Sequence, residues 1–257
     1  MEKTKHEPGT FCWVELGTSD GAAAKKFYTS LFGWTWTDFP GEAGPYTILQ
    51  KGGKDAAALY QMGAQQQGMP PHWNSYVAVE SADGATAHAR ELGANVLMGP
   101  FDAAEHGRMA VLQDPTGAPF SIWEPHANPG AGVVNEPGAF CWNELYTTDP
   151  KKAADFYMGL FGWTKNARHM DFGDYVIFEQ GTSMTAGMMQ VPKEWGPVPP
   201  HWLVYFAVDD CDRAVEKAKS LSAGVTVPPF DVENVGRMSI LTDPQGAGFA
   251  VIKLKMP

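Results

Sequence analysis

Cysteine is scarce in this chain of 257 residues: Cys12, Cys141 and Cys211 are all there are. Three scattered thiols exclude a disulfide framework and a CxxC metal knuckle, and point to a reducing, cytoplasmic setting. Long apolar runs are missing as well. Met1 to Thr10 (MEKTKHEPGT) has no apolar signal region, and no window reaches the roughly 18 apolar residues of a membrane span, so no membrane partner is expected. Basic side chains are outnumbered, 19 Lys and Arg against 29 Asp and Glu, for a net charge of −10. Such a surface repels phosphate backbones, and nucleic acid is not an expected partner. GxSxG, P-loop and GxGxxG motifs are absent from the strand-to-helix turns where they would act. What is present, 44% hydrophobic residues with scattered Gly and Pro as turn punctuation, suits one or two folded domains.

A repeat decides between one and two. FCWVEL (Phe11 to Leu16) returns as FCWNEL (Phe140 to Leu145), FYTSLFGW (Phe27 to Trp34) as FYMGLFGW (Phe156 to Trp163), and PPHW (Pro70 to Trp73) as PPHW (Pro199 to Trp202). FDAAEHGRMAVLQDPTGA (Phe101 to Ala118) returns as FDVENVGRMSILTDPQGA (Phe230 to Ala247), every pair being offset by 129. About 48 of the 121 positions from Pro8 to Asn128 match their partners from Pro137 to Pro257 without a gap. The chain reads as two homologous domains, 8–128 and 137–257, joined by the linker Pro125 to Glu136.

Within one copy the periodicity predicts a strand over Phe11 to Thr18, a helix capped by Asp20 and stopped by Gly33, and strands over Trp34 to Phe39, Tyr46 to Lys51 and Ala56 to Met62. The order then restarts: strand His72 to Val79, helix Ala82 to Leu92, and strands near Val96, at Met109 to Gln113 and at Phe120 to Trp123, the last two joined by the turn Asp114 to Gly117. Each domain is βαβββ twice, an α+β architecture with helices on one face of the sheet.

A strand, then Asp20, then Phe27-Tyr28 and Leu31-Phe32-Gly33-Trp34, then a second unit ending in Asp114-Pro115-Thr116-Gly117, resembles the vicinal oxygen chelate superfamily of glyoxalases, bleomycin-resistance proteins and extradiol dioxygenases. The tandem arrangement is similar to the two-domain glyoxalase-like proteins of mycobacteria and other bacteria. The resemblance spans about Pro8 to Lys253. It implies that each pair of βαβββ units curls around a cleft, in which relatives hold a divalent metal that chelates two neighbouring substrate oxygens. The metal positions implied by the resemblance fall on Trp13, Asn74 and Ser121 in the first copy and on Trp142, Leu203 and Ala250 in the second. None is a good donor, so no metal cofactor is expected, and a divalent ion fits only a shifted site.

Strand alternation places other side chains on the same face. Glu15 and Glu144 lie two residues after Trp13 and Trp142; His72 and His201 lie two residues before Asn74 and Leu203. Each copy thus offers a carboxylate and an imidazole to one cleft, a general acid/base pair. Two alternatives stand beside that reading. The pair forms a shifted metal site with Gln61 or Gln190, or it is structural, with Glu15 paired to Arg108 and His72 bonded to its loop. Arg108 and Arg237 are candidates to clamp an oxyanion or to hold Asp102 and Asp231 in the same hairpin. Trp13 and Trp142 are expected on the cleft face, Trp73 on the face opposite His72, and Trp34 and Trp163 in the core. Cys12 and Cys141 are expected on the opposite, helix-covered face as inert thiols.

Two functions follow. One is an enzyme, a glyoxalase-like lyase or isomerase or a dioxygenase-like oxidoreductase, that moves protons on a small organic molecule through Glu15 and His72 or Glu144 and His201. The other is a sequestering protein without turnover. The fused copies suffice as a monomer with an internal pseudo-dimer, a homodimer being the alternative.

Overall fold

The structure, a computed structural model, describes residues 1–41, 43–170, 173–192 and 195–255. The first half contains β1 (Phe11–Thr18), α1 (Gly21–Phe32), β2 (Thr35–Phe39), β3 (Tyr46–Lys51), β4 (Lys54–Gln61), β5 (His72–Ala78), α2 (Ala82–Glu91), β6 (Asn95–Ala103), β7 (Gly107–Gln113) and β8 (Pro119–Pro125). The second repeats it as β9 (Phe140–Thr147), α3 (Pro150–Phe161), β10 (Thr164–Met170), β11 (Gly173–Gln180), β12 (Ser183–Gln190), β13 (His201–Ala207), α4 (Cys211–Ser220), β14 (Gly224–Val232), β15 (Gly236–Thr242) and β16 (Gly248–Leu254).

Each half folds into one sheet of eight strands, in the orders β2-β3-β4-β1-β5-β8-β7-β6 and β10-β11-β12-β9-β13-β16-β15-β14. The two βαβββ units of a half therefore meet where β1 runs antiparallel to β5, or β9 to β13. Helix boundaries follow their caps. Asp20 accepts the Ala23 amide at 2.9 Å to start α1, and Gly33, at φ 73°, takes the left-handed turn that ends it. Asp149, Pro150 and Gly162 do the same for α3.

Both helix-bearing faces are buried against each other, so one core runs through both halves. The packing is crossed. Tyr28 and Phe32 of α1 meet Phe249 and Phe206 of the second sheet, while Phe156 and Tyr157 of α3 meet Phe120 of the first. The Tyr28 hydroxyl donates to Asp243 at 2.9 Å and accepts the Trp73 indole N–H; the Tyr157 hydroxyl donates to Asp114 at 3.0 Å and accepts from Trp202. The second oxygen of each aspartate caps its own turn, taking the amides of Gly117 and Ala118 or of Gly246 and Ala247. The DPxG motif is thus a turn and a cross-domain clasp at once. Trp34 and Trp163 are in this core as expected, and each also spans the halves, donating to the carbonyls of Gly138 and Gly9.

One expected placement is corrected. Cys12 is fully buried and lies beneath the linker: Ala131 N–H bonds the Cys12 carbonyl, and Gly130 lies so close that a Cβ there would come within 2.5 Å of it. A register shift between Phe11 and Trp13 breaks the simple alternation that placed it. Cys141, beside the equivalent irregularity, is only half-buried and packs against the second sheet's other face.

Candidate functional site

The sheet faces turned away from the shared core carry the residues expected to line the two clefts. In the first, the register sets Trp13 beside Tyr76, Glu15 beside Asn74 and Gly17 beside His72, with Tyr60 next to Gly17 on β4 and Ser121 next to Tyr76 on β8. Period-two alternation therefore delivers side chains from four strands to one floor. Glu15 is its centre. The Tyr46 hydroxyl donates to one carboxylate oxygen at 2.7 Å and the Tyr76 hydroxyl to the other at 2.8 Å. Burial pushes the Glu15 carboxyl above its ordinary value, opposed by the two hydroxyls and nearby His72.

The His72 ring is fixed by an Nδ1–H bond of 2.9 Å to the Pro70 carbonyl. A carbonyl can only accept, so Nδ1 carries the proton and a neutral ring keeps its lone pair on Nε2. Tyr60 crosses above Gly17, its hydroxyl accepting from Gln66 at 2.9 Å; a Cβ on residue 17 would lie 3.0 Å from that hydroxyl and 3.5 Å from the His72 ring. Glycine at 17 makes room for the phenol. Asn74 donates to Ser121 at 2.7 Å. Glu15, Tyr60, His72 and Asn74 are all partly exposed, and the exposed apolar side chains Phe39, Met98 and Phe101 stand on the same face through their register with Tyr46, Val111 and Met109.

The second cleft keeps the frame and changes the filling. Glu144 accepts from Tyr175 at 2.6 Å and Tyr205 at 2.9 Å, and the His201 Nδ1–H donates to the Pro199 carbonyl at 2.9 Å. In place of Gly17 stands Tyr146, its ring stacked on His201 at 5.2 Å and 8° and covered from outside by Trp195 at 5.6 Å. Its hydroxyl interacts with Glu144 as well. Leu203 and Ala250 replace Asn74 and Ser121, Met189 replaces Tyr60, and together with Val191, Tyr205, Met238 and Ile252 they form an apolar cluster of their own. Glu144 is 6% exposed beneath it. Its carboxyl is pushed up by burial, and the His201 imidazole is pushed down for the same reason.

Several expected site residues fall elsewhere. Gln61 pairs with Thr18 and not with Gly17, which turns it from the cleft to the start of α1, where it accepts the Gly21 amide at 3.3 Å; Gln190 holds the same register against Thr147. A shifted metal site through either glutamine is therefore not formed. Arg108 and Arg237 lie on the helix-bearing face, paired with Asp83 and Asp102 and with Asp212 and Asp231, so neither clamps an oxyanion in a cleft and Arg108 does not meet Glu15. Trp73 and Trp202 are core residues. The tyrosines around Glu15 escaped the sequence reading, although the recurrence of Tyr46 and Tyr76 as Tyr175 and Tyr205 was a usable signal.

The model of the Glyoxalase/Bleomycin resistance protein/Dioxygenase superfamily matches residues 10–122 and again 139–251. The chain belongs to this superfamily. CFP32 of Mycobacterium tuberculosis, whose name describes it provisionally as a glyoxylase, is 41% identical over 257 residues, covering 98% of this chain and 97% of the relative. The anthracycline biosynthesis protein DnrV of Streptomyces peucetius is 38% identical over 266 residues, covering 98% and 96%. Among solved structures, the Mn(II)-bound glyoxalase of Novosphingobium aromaticivorans superposes with a TM-score of 0.69 at 16% identity over 96% of this chain and 83% of that one. The 2,3-dioxygenase LapB of Pseudomonas sp. KL28 gives 0.67 at 12% over 98% and 95%. At those identities the superpositions speak for the fold alone.

The superfamily implies a divalent cation in the cleft, and the residues at hand do not suit one. Trp13 offers no lone pair to a metal, the Asn74 amide N–H and the Ser121 hydroxyl are bonded to each other, and both Glu15 oxygens hold tyrosine hydroxyls. Among the described residues, no three His, Cys, Asp or Glu side chains converge as a metal group. Among the described residues no helix is long and apolar enough to cross a membrane.

Proposed function

We propose that this superfamily member binds one small organic molecule per chain, in the first cleft, and that the second cleft serves as a structural core. One observation carries the proposal. The same floor that is polar and partly exposed in the first half, with Glu15, Tyr60, His72 and Asn74, is plugged in the second by Tyr146 under Trp195. An apolar rim around a few polar groups is the composition of a small-molecule site. The names of CFP32 and DnrV, a glyoxylase and an anthracycline biosynthesis protein, likewise concern small organic molecules. A cytoplasmic setting is part of the proposal and agrees with three free cysteines.

A second reading, proton transfer, has its own support: His72 holds its proton on Nδ1 and leaves Nε2 as a base beside Glu15. Calorimetric titration of a library of small carbonyl, hydroxy and aromatic compounds tests the first reading. The expected result is one site per chain, lost on Asn74→Leu combined with Ser121→Ala; two equivalent sites, or binding indifferent to that change, would sink it. Exchange of substrate C–H protons in deuterated water, abolished by His72→Gln with binding retained, would establish the second.

A further inference from the structure

The second cleft contains its own occupant, and the first lacks it. Three tyrosine hydroxyls address Glu144, those of Tyr175, Tyr205 and Tyr146, whereas two address Glu15. The third belongs to the ring that lies flat on His201. Three of the groups that meet that ring recur in the first half: the imidazole in the same bond to a proline carbonyl, the carboxylate, and Tyr76 in the place of Tyr205. The ring is gone because residue 17 is glycine, with the Tyr60 phenol crossing above that glycine, and the outer cover is gone with it, Gln66 standing where the repeat puts Trp195. Tyr60 brings a hydroxyl to this region but no ring stacked on His72. The carboxylate has room for another donor, since its two oxygens present about four lone pairs.

Resting on the reading of the first cleft as the binding site, we infer that its ligand is a planar aromatic molecule bearing a phenolic hydroxyl, which stacks on His72 as Tyr146 stacks on His201 and sets its hydroxyl to donate to Glu15. The rim adds an independent reason for a ligand larger than one ring. Phe39, Met98 and Phe101 are 50%, 49% and 37% exposed on the cleft face, while the second half has Arg168, Val227 and Phe230 at those positions, with neither Val227 nor Phe230 exposed. Apolar surface at the mouth above a polar floor matches a molecule with a flat apolar body and a hydroxyl at its inner end.

The test uses 2-naphthol against 2-methoxynaphthalene, which has the same ring system and no hydroxyl proton. Calorimetry on the full chain should show one 2-naphthol site per chain and at least tenfold weaker binding of the methyl ether. Gly17→Tyr with Tyr60→Met places the second cleft's tyrosine in the first and should abolish the site; Glu15→Gln, a smaller change, should narrow the preference for naphthol over the ether. Conversely, Tyr146→Gly should create a second naphthol site. Equal affinity for naphthol and ether, or naphthol binding that survives the Gly17→Tyr/Tyr60→Met exchange, overturns the inference. Should aliphatic hydroxy or carbonyl compounds bind in a manner sensitive to Asn74→Leu with Ser121→Ala while 2-naphthol does not, the phenolic class fails and the binding site stands. Loss of all binding sensitive to either exchange would sink both.

Discussion

The first cleft and the second are built on the same strands, with the same glutamate between the same two tyrosines and the same histidine tied to the same carbonyl, yet one is open and the other is packed. Five exchanges mark the difference: Gly17 for Tyr146, Tyr60 for Met189, Gln66 for Trp195, Asn74 for Leu203 and Ser121 for Ala250. The frame is therefore separable from the filling. A glutamate held by tyrosines belongs to the architecture of both halves, so its presence alone does not mark a reactive centre; what distinguishes a site is whether solvent reaches it.

That distinction can be broken by experiment. The largest expected effect is on Glu144→Ala, which removes the buried acceptor shared by the Tyr175 and Tyr205 hydroxyls and should cost about 3–4 kcal/mol in urea unfolding, against about 1–2 kcal/mol for Glu15→Ala in its wetter cleft. Equal losses would mean that the two clefts are equally dry. Next comes a control in which the halves should behave alike. Tyr28→Phe and Tyr157→Phe each remove a cross-domain bond and leave a buried carboxylate oxygen unpaired, for about 2–3 kcal/mol apiece; a strong disparity would show that the clasp is not symmetric.

A smaller effect should appear with pH. The His201 imidazole, pushed down by burial, takes up its proton less readily in the folded chain than in the unfolded one. Its contribution to stability is then present above its ordinary value of about 6.5 and is lost as pH falls below it. The drop in Tm between about pH 7.5 and about pH 5.5 should be smaller in His201→Gln than in the wild type. An unchanged drop would mean that His201 titrates as if exposed. The least effect is expected from Asn74→Leu with Ser121→Ala: both partners of one hydrogen bond leave together, so stability should change by less than about 1 kcal/mol, whereas Ser121→Ala alone should cost more because the Asn74 amide loses its acceptor.

Much of this was legible in the residues. The offset of 129 and the Asp20 and Gly33 caps predict the elements, and alternation alone puts Glu15 and His72 on one face. What alternation does not carry is which strands are neighbours. Tyr46 reaches Glu15 from β3, across β4, only because the sheet order is β3-β4-β1-β5. A shift of one residue in register reverses every side chain of a strand, and for that reason Gln61 was expected in the cleft while its neighbour Tyr60 is there. Arg108 failed for a similar reason: its strand shows Met109 and Val111 to the cleft and turns the guanidinium toward α2.

The crossed clasps also bear on how the chain is made. Tyr157 finds Asp114 across 43 residues, both available when the second half has barely begun to emerge from the ribosome. Tyr28, whose hydroxyl already accepts from Trp73 within the first half, waits for Asp243, 215 residues on, which arrives with the last hairpin. The half that is synthesised first is therefore completed last, and until then its aromatic face is surface for chaperones to hold.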